Sequence, residues 1–277
     1  MAIDILIPVH NGEMFLRETL NSVNNQSYED WRLVAVLDRC EDKSEQLICE
    51  LIPAHKVSIS HVKFGHIGKN LNYGLRQCTS DLVARLDCDD IMLPDRLAVQ
   101  LKFMNDHPEI TVVASDVIQI DKEGNQISKT RFPNSPLQIA NELILRNCIP
   151  HPSVMYRRLE IEECGGYSEV SQQAEDYDLW LRLVANGKKI ELIPVELLKY
   201  RIHQNQVSRN LLTSSDVRLL AESQKNTAIF LNRKWRGRVG RLGLLIVNHP
   251  VWSRMLVWNR GRQLLKTIFH KVNHRTS

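Results

Sequence analysis

The chain lacks several things that would have pointed elsewhere. No run of about 18 consecutive apolar residues occurs in its 277 residues, so no membrane-spanning helix is expected. Met1-Ala2-Ile3-Asp4 has no basic segment of the secretory kind, which predicts a cytoplasmic protein. Cysteine is sparse: Cys40, Cys49, Cys78, Cys88, Cys148 and Cys164 form no Cys-x-x-Cys pair. A chain this long needs no disulfide staples, so reduced, packing cysteines are expected. Internal repeats and low-complexity linkers are also missing. Acidic residues are absent from one end: Ser223 to Ser277 carries 12 Lys or Arg and no Asp or Glu. The overall charge of +4 therefore conceals residues 1–222 with 24 basic and 32 acidic side chains, a net of −8. The reading is an acidic catalytic body with a basic tail.

What is present is an alternation of short β-type runs and amphipathic helical runs. Ile3 to Val9 is apolar except for Asp4, after which Phe15, Leu16, Thr19, Leu20 and Val23 recur at helical spacing. Trp31–Leu37, Val57–Val62 and Asp81–Leu86 read as further strands, with helical runs around Leu47–Ile52 and Leu71–Leu75 between them. This rhythm predicts an α/β fold with a doubly wound, mostly parallel sheet. Pro94 is placed in the first turn of a helix through Leu97, Leu101 and Met104. Ile110–Ile120 follows as a strand, with a hairpin turn at Lys122-Glu123-Gly124-Asn125 leading to Gln126–Phe132. Beyond that, a helix is expected around Leu137–Leu145 and a strand at Ser153–Tyr156. A helix at Tyr177–Ala185 and two strands near Ile190–Ile193 and Leu197–Ile202 complete the expected elements.

Doubly wound sheets bind ligands at the carboxyl ends of their strands. Asp87-Cys88-Asp89-Asp90 places three carboxylates there in four residues, a density that a hard divalent ion such as Mn²⁺ or Mg²⁺ would neutralise. A solvated turn capping the next helix is the other reading. Asp38 ends the second strand, where it can accept from a base N–H or a ribose hydroxyl, or simply serve as a turn residue. Lys69 and Asn70 follow Gly68 at a helix start that suits an anion, a solvated surface lysine being the other reading. Glu175-Asp176 opens an apolar-periodic helix; the helix dipole alone would favour acids there, and so would a role as proton acceptor. Tyr200-Arg201-Ile202-His203 closes a strand with two cationic or ligating side chains.

Taken in order, these segments resemble family 2 glycosyltransferases of the GT-A fold, of the bacterial surface-polysaccharide type. The resemblance rests on Ile7-Pro8-Val9-His10-Asn11-Gly12, on Gly68-Lys69-Asn70-Leu71-Asn72-Tyr73-Gly74-Leu75, and on Ala84-Arg85-Leu86-Asp87-Cys88-Asp89-Asp90 with Pro94, Arg96 and Gln100. It continues through His151-Pro152-Ser153-Val154-Met155, Gly165-Gly166-Tyr167, Glu175-Asp176-Tyr177-Asp178-Leu179-Trp180 and Tyr200-Arg201-Ile202-His203, covering about residues 3–208. It implies a nucleotide-sugar-binding half over 1–110, an acceptor-binding half of the same domain over 111–210, and a helical basic extension over 211–277. It further implies a UDP-sugar donor, a glycan or lipid-linked acceptor, a Mn²⁺ or Mg²⁺ cofactor and no nucleic-acid partner. Pro8 and Asp38 would then lie against the uridine, and Lys69 in the helix facing the nucleotide. Asp89 would contact the metal, Asp87 the ribose or metal shell, and His203 the diphosphate or metal. Asp176 would be the catalytic base of an inverting transfer. The family commonly has Asp-Asp-Gly-Ser after the second strand; Leu37-Asp38-Arg39-Cys40 keeps only the second acid and suggests a differently shaped loop in which Arg39 adds a phosphate contact. Two competing readings are a nucleotidyltransferase, disfavoured by one Gly and no base in Pro8–Gly12, and a transferase-like subunit without turnover.

In the basic tail, Val257, Gly261, Leu264, Leu265, Ile268 and Phe269 gather on one helical arc, with Arg260, Gln263, Lys266, Thr267 and Lys271 on the other. Trp235, Trp252 and Trp258 lie in the same acid-free region. Such a helix suits an anionic membrane surface, each Lys or Arg adding on the order of 1 kcal/mol, or the acidic body of the chain itself. On the membrane reading, the chain sediments with anionic liposomes at low salt and loses this on removal of residues 235–277. A full-length chain that ignores such liposomes selects the packed-helix reading.

Overall fold

A computed structural model describes residues 2–171, 173–204 and 212–235, with side chains up to residue 231. Most of the basic tail, including the 251–272 arc, lies outside the described residues. The chain opens with β1 (Ile3–Val9), α1 (Glu13–Asn24), β2 (Trp31–Asp38), α2 (Ser44–Leu51), β3 (Val57–Val62), α3 (Ile67–Gln77) and β4 (Leu82–Arg85). It continues through β5 (Ile91–Met92), α4 (Arg96–Asp106), β6 (Ile110–Ile120), β7 (Gln126–Thr130) and α5 (Pro136–Leu143). β8 (Met155–Arg157), α6 (Arg158–Glu163), α7 (Glu175–Ala185), β9 (Lys189–Arg201) and α8 (Ser214–Trp235) complete it.

The strands form one sheet in the order β3-β2-β1-β4-β8-β6-β9-β5, with β7 on β6. β1, β2, β3 and β4 pair in parallel; β8 is antiparallel to both β4 and β6, and β9 runs parallel to β6. Six of the nine strands among the described residues therefore share one direction, as the β-α rhythm predicts for a mostly parallel sheet. β1 shows why the sheet is covered on both faces: Ile3, Ile5 and Ile7 pack with Leu16, Leu20 and Ile48 on one side, while Leu6 packs with Leu71, Leu75 and Val83 on the other. α3 approaches closely because Gly74 has no side chain; a Cβ there would lie 2.3 Å from Leu6 Cδ1 and 2.9 Å from Val36 Cγ2. Trp180 of α7, fully buried, belongs to the same core face as Leu6.

Several boundaries differ from the sequence reading. Ile190–Ile193 and Leu197–Ile202 are not two strands but parts of β9, whose register against β6 slips around Ser115, Asp116 and Val117. Irregular pairing lets one strand carry the intervening Pro194-Val195-Glu196. The strand expected at Ser153 begins at Met155, because His151–Ser153 forms a 3-10 turn around Pro152. Pro94 precedes α4 rather than lying within it, and Ile91–Met92 ahead of it pairs with Lys199 and Leu198 of β9, an element that two residues could not announce.

Asp4, the one acid in β1, is fully buried. Its carboxylate accepts from Thr79 N at 2.6 Å, Ser80 N at 2.8 Å and Arg32 Nε at 2.8 Å, tying the α3–β4 connection and β2 to β1. Removing it strands two backbone donors and a guanidinium. Asp4→Ala should cost about 3 kcal/mol in urea unfolding at unchanged m-value, whereas loss of Arg17, whose ion pair with Glu50 is exposed, should cost under about 0.5 kcal/mol.

Candidate active site

The parallel strands β1, β2 and β4 deliver their carboxyl ends to one edge of the sheet. After β4 the chain turns, Leu86 N still donating to Leu6 O at 3.1 Å, and presents Asp87, Asp89 and Asp90. One carboxylate oxygen from each lies within 4.8 Å of the others, an all-oxygen arrangement that fits a hard divalent cation. The three are held in different ways. Asp87 pairs with the Arg85 guanidinium at the end of β4. Asp89 Oδ2 meets His203 Nε2 at 2.8 Å. Asp90 is fully buried, one oxygen accepting from Arg201 N at 2.8 Å and the other unpartnered. Burial, then the charges of Asp89 and Asp87, push Asp90 well above the usual carboxylate range. Burial and Asp87 also raise Asp89, with His203 pulling the other way.

Arg201, completely buried at the end of β9, fastens this loop from below. Its Nε donates to Asp89 O at 2.9 Å, its Nη1 to Asp121 O and Lys122 O at 3.2 and 3.0 Å, and its Nη2 to Glu18 Oε2 at 2.8 Å. The guanidinium carbon stands 4.6 Å from the Phe15 ring centroid, and the same ring lies 5.1 Å from His203. α1, the β6–β7 turn, β9 and the acidic loop thus meet at one side chain.

Next to this cluster, Pro8 is buried in β1 beside Val36 of β2. Asp38 is 2 % exposed; its Oδ2 accepts from Gly65 N at 2.7 Å and Asn70 Nδ2 at 3.0 Å, while its Oδ1 has no partner. Lys69 is exposed in the first turn of α3, one residue before Asn70. Leu37, standing where the family commonly has an acid, packs in the hydrophobic core. Arg39 takes a left-handed φ of 53°, so the loop retains a backbone conformation that glycine adopts freely.

Glu175 and Asp176 start α7. Asp176 accepts from Asn147 Nδ2 at 2.8 Å and from Tyr177 N at 2.6 Å. Burial raises its pKa, and these two donors oppose the rise by favouring the ionised form. Burial, then the adjacent Asp176, push Glu175 up to about 8. The Arg85 guanidinium favours ionisation of both, so the acid pair and Asp87 share one cation. Asp87, Asp89 and His203 are brought into one cluster, and Pro8, Asp38 and Lys69 stand at the neighbouring strand ends and α3. Arg85 and Asn147 were given no role by the sequence reading. Arg85 carried a signal, a charge inside the apolar run Leu82-Val83-Ala84; Asn147 carried none, since only folding brings the α5–β8 connection against α7.

The family model described as "Glycosyl transferase family 2" matches residues 4–163. The amylovoran biosynthesis glycosyltransferase AmsE of Erwinia amylovora is 32% identical over 74% of this chain and 78% of its own. The O-antigen biosynthesis glycosyltransferase WbnJ of Escherichia coli is 29% identical over 76% of this chain and 83% of its own. Among solved structures, S. aureus TarS in complex with UDP-GlcNAc aligns with a TM-score of 0.68 at 19% identity, over 93% of this chain and 78% of that one. That likeness gives the GT-A fold, and with the family match over more than half its length, the chain belongs to glycosyl transferase family 2.

Proposed function

We propose that this glycosyltransferase is metal-dependent and inverting, and moves a sugar from a UDP-sugar to a hydroxyl of a glycan or lipid-linked acceptor in bacterial surface-polysaccharide synthesis. The observation that carries the reading is the convergence of Asp87, Asp89 and His203 on one cluster, with Arg85 paired to Asp87 and acting electrostatically on the Glu175-Asp176 pair. The relatives acting in amylovoran and O-antigen synthesis, and the fold shared with a UDP-GlcNAc-bound enzyme, support the substrate class. In this proposal residues 1–110 bind the nucleotide sugar, 111–210 the acceptor, and the 211–277 extension touches the inner membrane surface.

Asp89 and Asp87 would hold a Mn²⁺ or Mg²⁺ ion, with His203 beside them. When bound, such an ion offsets the negative charge of the leaving diphosphate. Pro8 and Asp38 would hold the nucleoside, and Lys69 would face the nucleotide. Asp176 takes the proton from the acceptor hydroxyl as that oxygen bonds to the anomeric carbon and the bond to the diphosphate oxygen breaks with its electron pair. One displacement inverts the anomeric centre, and no second carboxylate nucleophile is required. Glu175, pushed up to about 8 by burial and by the adjacent Asp176, is favoured in its protonated form at neutral pH, which lowers the charge beside the base.

Asp89→Asn should retain the fold and lose most Mn²⁺ binding by calorimetry, together with most transfer. Near-normal, EDTA-insensitive activity in that variant would sink the metal assignment.

Asp176→Asn should bind UDP-sugar normally and lose about 10²–10⁴-fold in kcat, with Glu175→Gln milder. Because the base must be ionised and its pKa is raised, kcat/KM should fall as pH drops through a value above that of an ordinary aspartate. Asn147→Ala removes a donor to the ionised form, so this acid limb should move to still higher pH. A product retaining the donor's anomeric configuration by NMR would refute the single displacement.

A further inference from the structure

The second strand ends in a pair of residues whose geometry is unusual in two independent ways. Asp38 is buried, yet only its Oδ2 is bonded, leaving Oδ1 an unpartnered acceptor shielded from water. Such an atom is costly unless something donates to it. The residue that follows, Arg39, holds a left-handed φ of 53°, a region that non-glycine residues seldom occupy outside functional or tightly determined positions.

The Arg39 side chain explains what that conformation achieves. Gly65 faces it with a φ of 58°, and a Cβ there would stand 2.7 Å from each of Arg39 Cζ, Nη1 and Nη2. Equal distances to three guanidinium atoms mean that the plane lies flat on the glycine, one face covered by backbone. The side chain is 56 % exposed. Its bonding is slight: Nη2 reaches Lys63 O at 3.4 Å, and Nε stops 4.0 Å from Asp38 Oδ1, beyond hydrogen-bonding distance. A planar fork of donors is therefore parked beside a bare acceptor, and the two do not satisfy each other.

We propose that the Arg39 guanidinium, lying beside the Asp38 carboxylate already assigned to the nucleoside, reads the edge of the donor's nucleobase, which makes Arg39 a specificity-determining residue of this chain. This rests on the nucleoside-diphosphate reading of the site. The acceptor suits a ring N–H and the donors suit the carbonyl next to it, the pattern of uracil at N3. Cytosine and adenine present a ring-nitrogen lone pair at the corresponding position, so acceptor would meet acceptor. Arg39 acts on the base and not on the diphosphate, because its guanidinium is laid against Gly65 and Asp38 at the end of β2.

The test is calorimetric titration of UDP, CDP and ADP, with Mn²⁺ present, into the wild-type chain, Arg39→Gly and Arg39→Lys. Glycine suits the left-handed position, so Arg39→Gly should melt no lower than wild type. Its Kd for UDP should rise about tenfold, about 1.4 kcal/mol, while those for CDP and ADP stay within about twofold. Arg39→Lys, which keeps the charge without the planar fork, should fall between. Unchanged UDP affinity in Arg39→Gly overturns the proposal, and equal losses for all three nucleotides overturn it in favour of a diphosphate contact. Wild-type protein that binds none of the three removes the nucleoside-diphosphate reading itself, and this inference with it.

Discussion

Three carboxylates with oxygens inside 4.8 Å of one another repel, and the rest of the active-site end of this protein is arranged around that repulsion. The chain answers it locally with three cationic or proton-bearing partners from different elements: Arg85 on Asp87, His203 on Asp89 and the backbone of Arg201 on Asp90. None of these cancels the cluster completely. Asp90 keeps a buried oxygen without a partner and is driven toward its protonated form. A site that is under-neutralised by its own protein is suited to accept a divalent cation, because the ion relieves a cost already present in the fold.

The same constraint accounts for β9. A strand that begins beside Ile110 and ends at Arg201 runs alongside β6, slipping register on the way, and its final residues close under the acidic loop. Arg201 then spreads its donors over Asp89, the β6–β7 turn and Glu18 of α1. Arg rather than Lys suits this position, since a rigid fork satisfies several acceptors at fixed angles while remaining buried. Arg85 does a parallel service toward α7, where its charge reaches both members of the Glu175-Asp176 pair. The acidic cluster and the Glu175-Asp176 pair are thus electrostatically connected through Arg85.

Much of this was legible in the residues. The β-α rhythm of the first hundred positions predicts strands and helices close to those observed, because a parallel strand buried on both faces must be nearly all apolar and an amphipathic helix must repeat at 3.6. The family resemblance is matched by the family assignment over residues 4–163, which includes Asp87-Cys88-Asp89-Asp90, while Glu175-Asp176 and Tyr200-Arg201-Ile202-His203 lie beyond the matched span. Less legible was the second half, where β8 runs against its neighbours and β9 absorbs two expected strands, since irregular pairing leaves no period in the sequence. The 3-10 turn at His151–Ser153 and the two-residue β5 were likewise too short for any pattern to declare.

The sequence by itself determined the class of fold, the strand ends at which polar residues would converge, and the acids that would lie there, because these follow from local periodicity and from charges set inside apolar runs. Only the tertiary structure decided which groups neutralise which. That His203 meets Asp89 across 114 positions, that Asn147 holds Asp176, and that Asp38 keeps one oxygen bare beside Arg39 are consequences of chain segments crossing in space. The physical reason is that hydrogen bonds and ion pairs act over a few ångströms and carry no record of sequence separation, so a side chain's partners exist only once the sheet has closed.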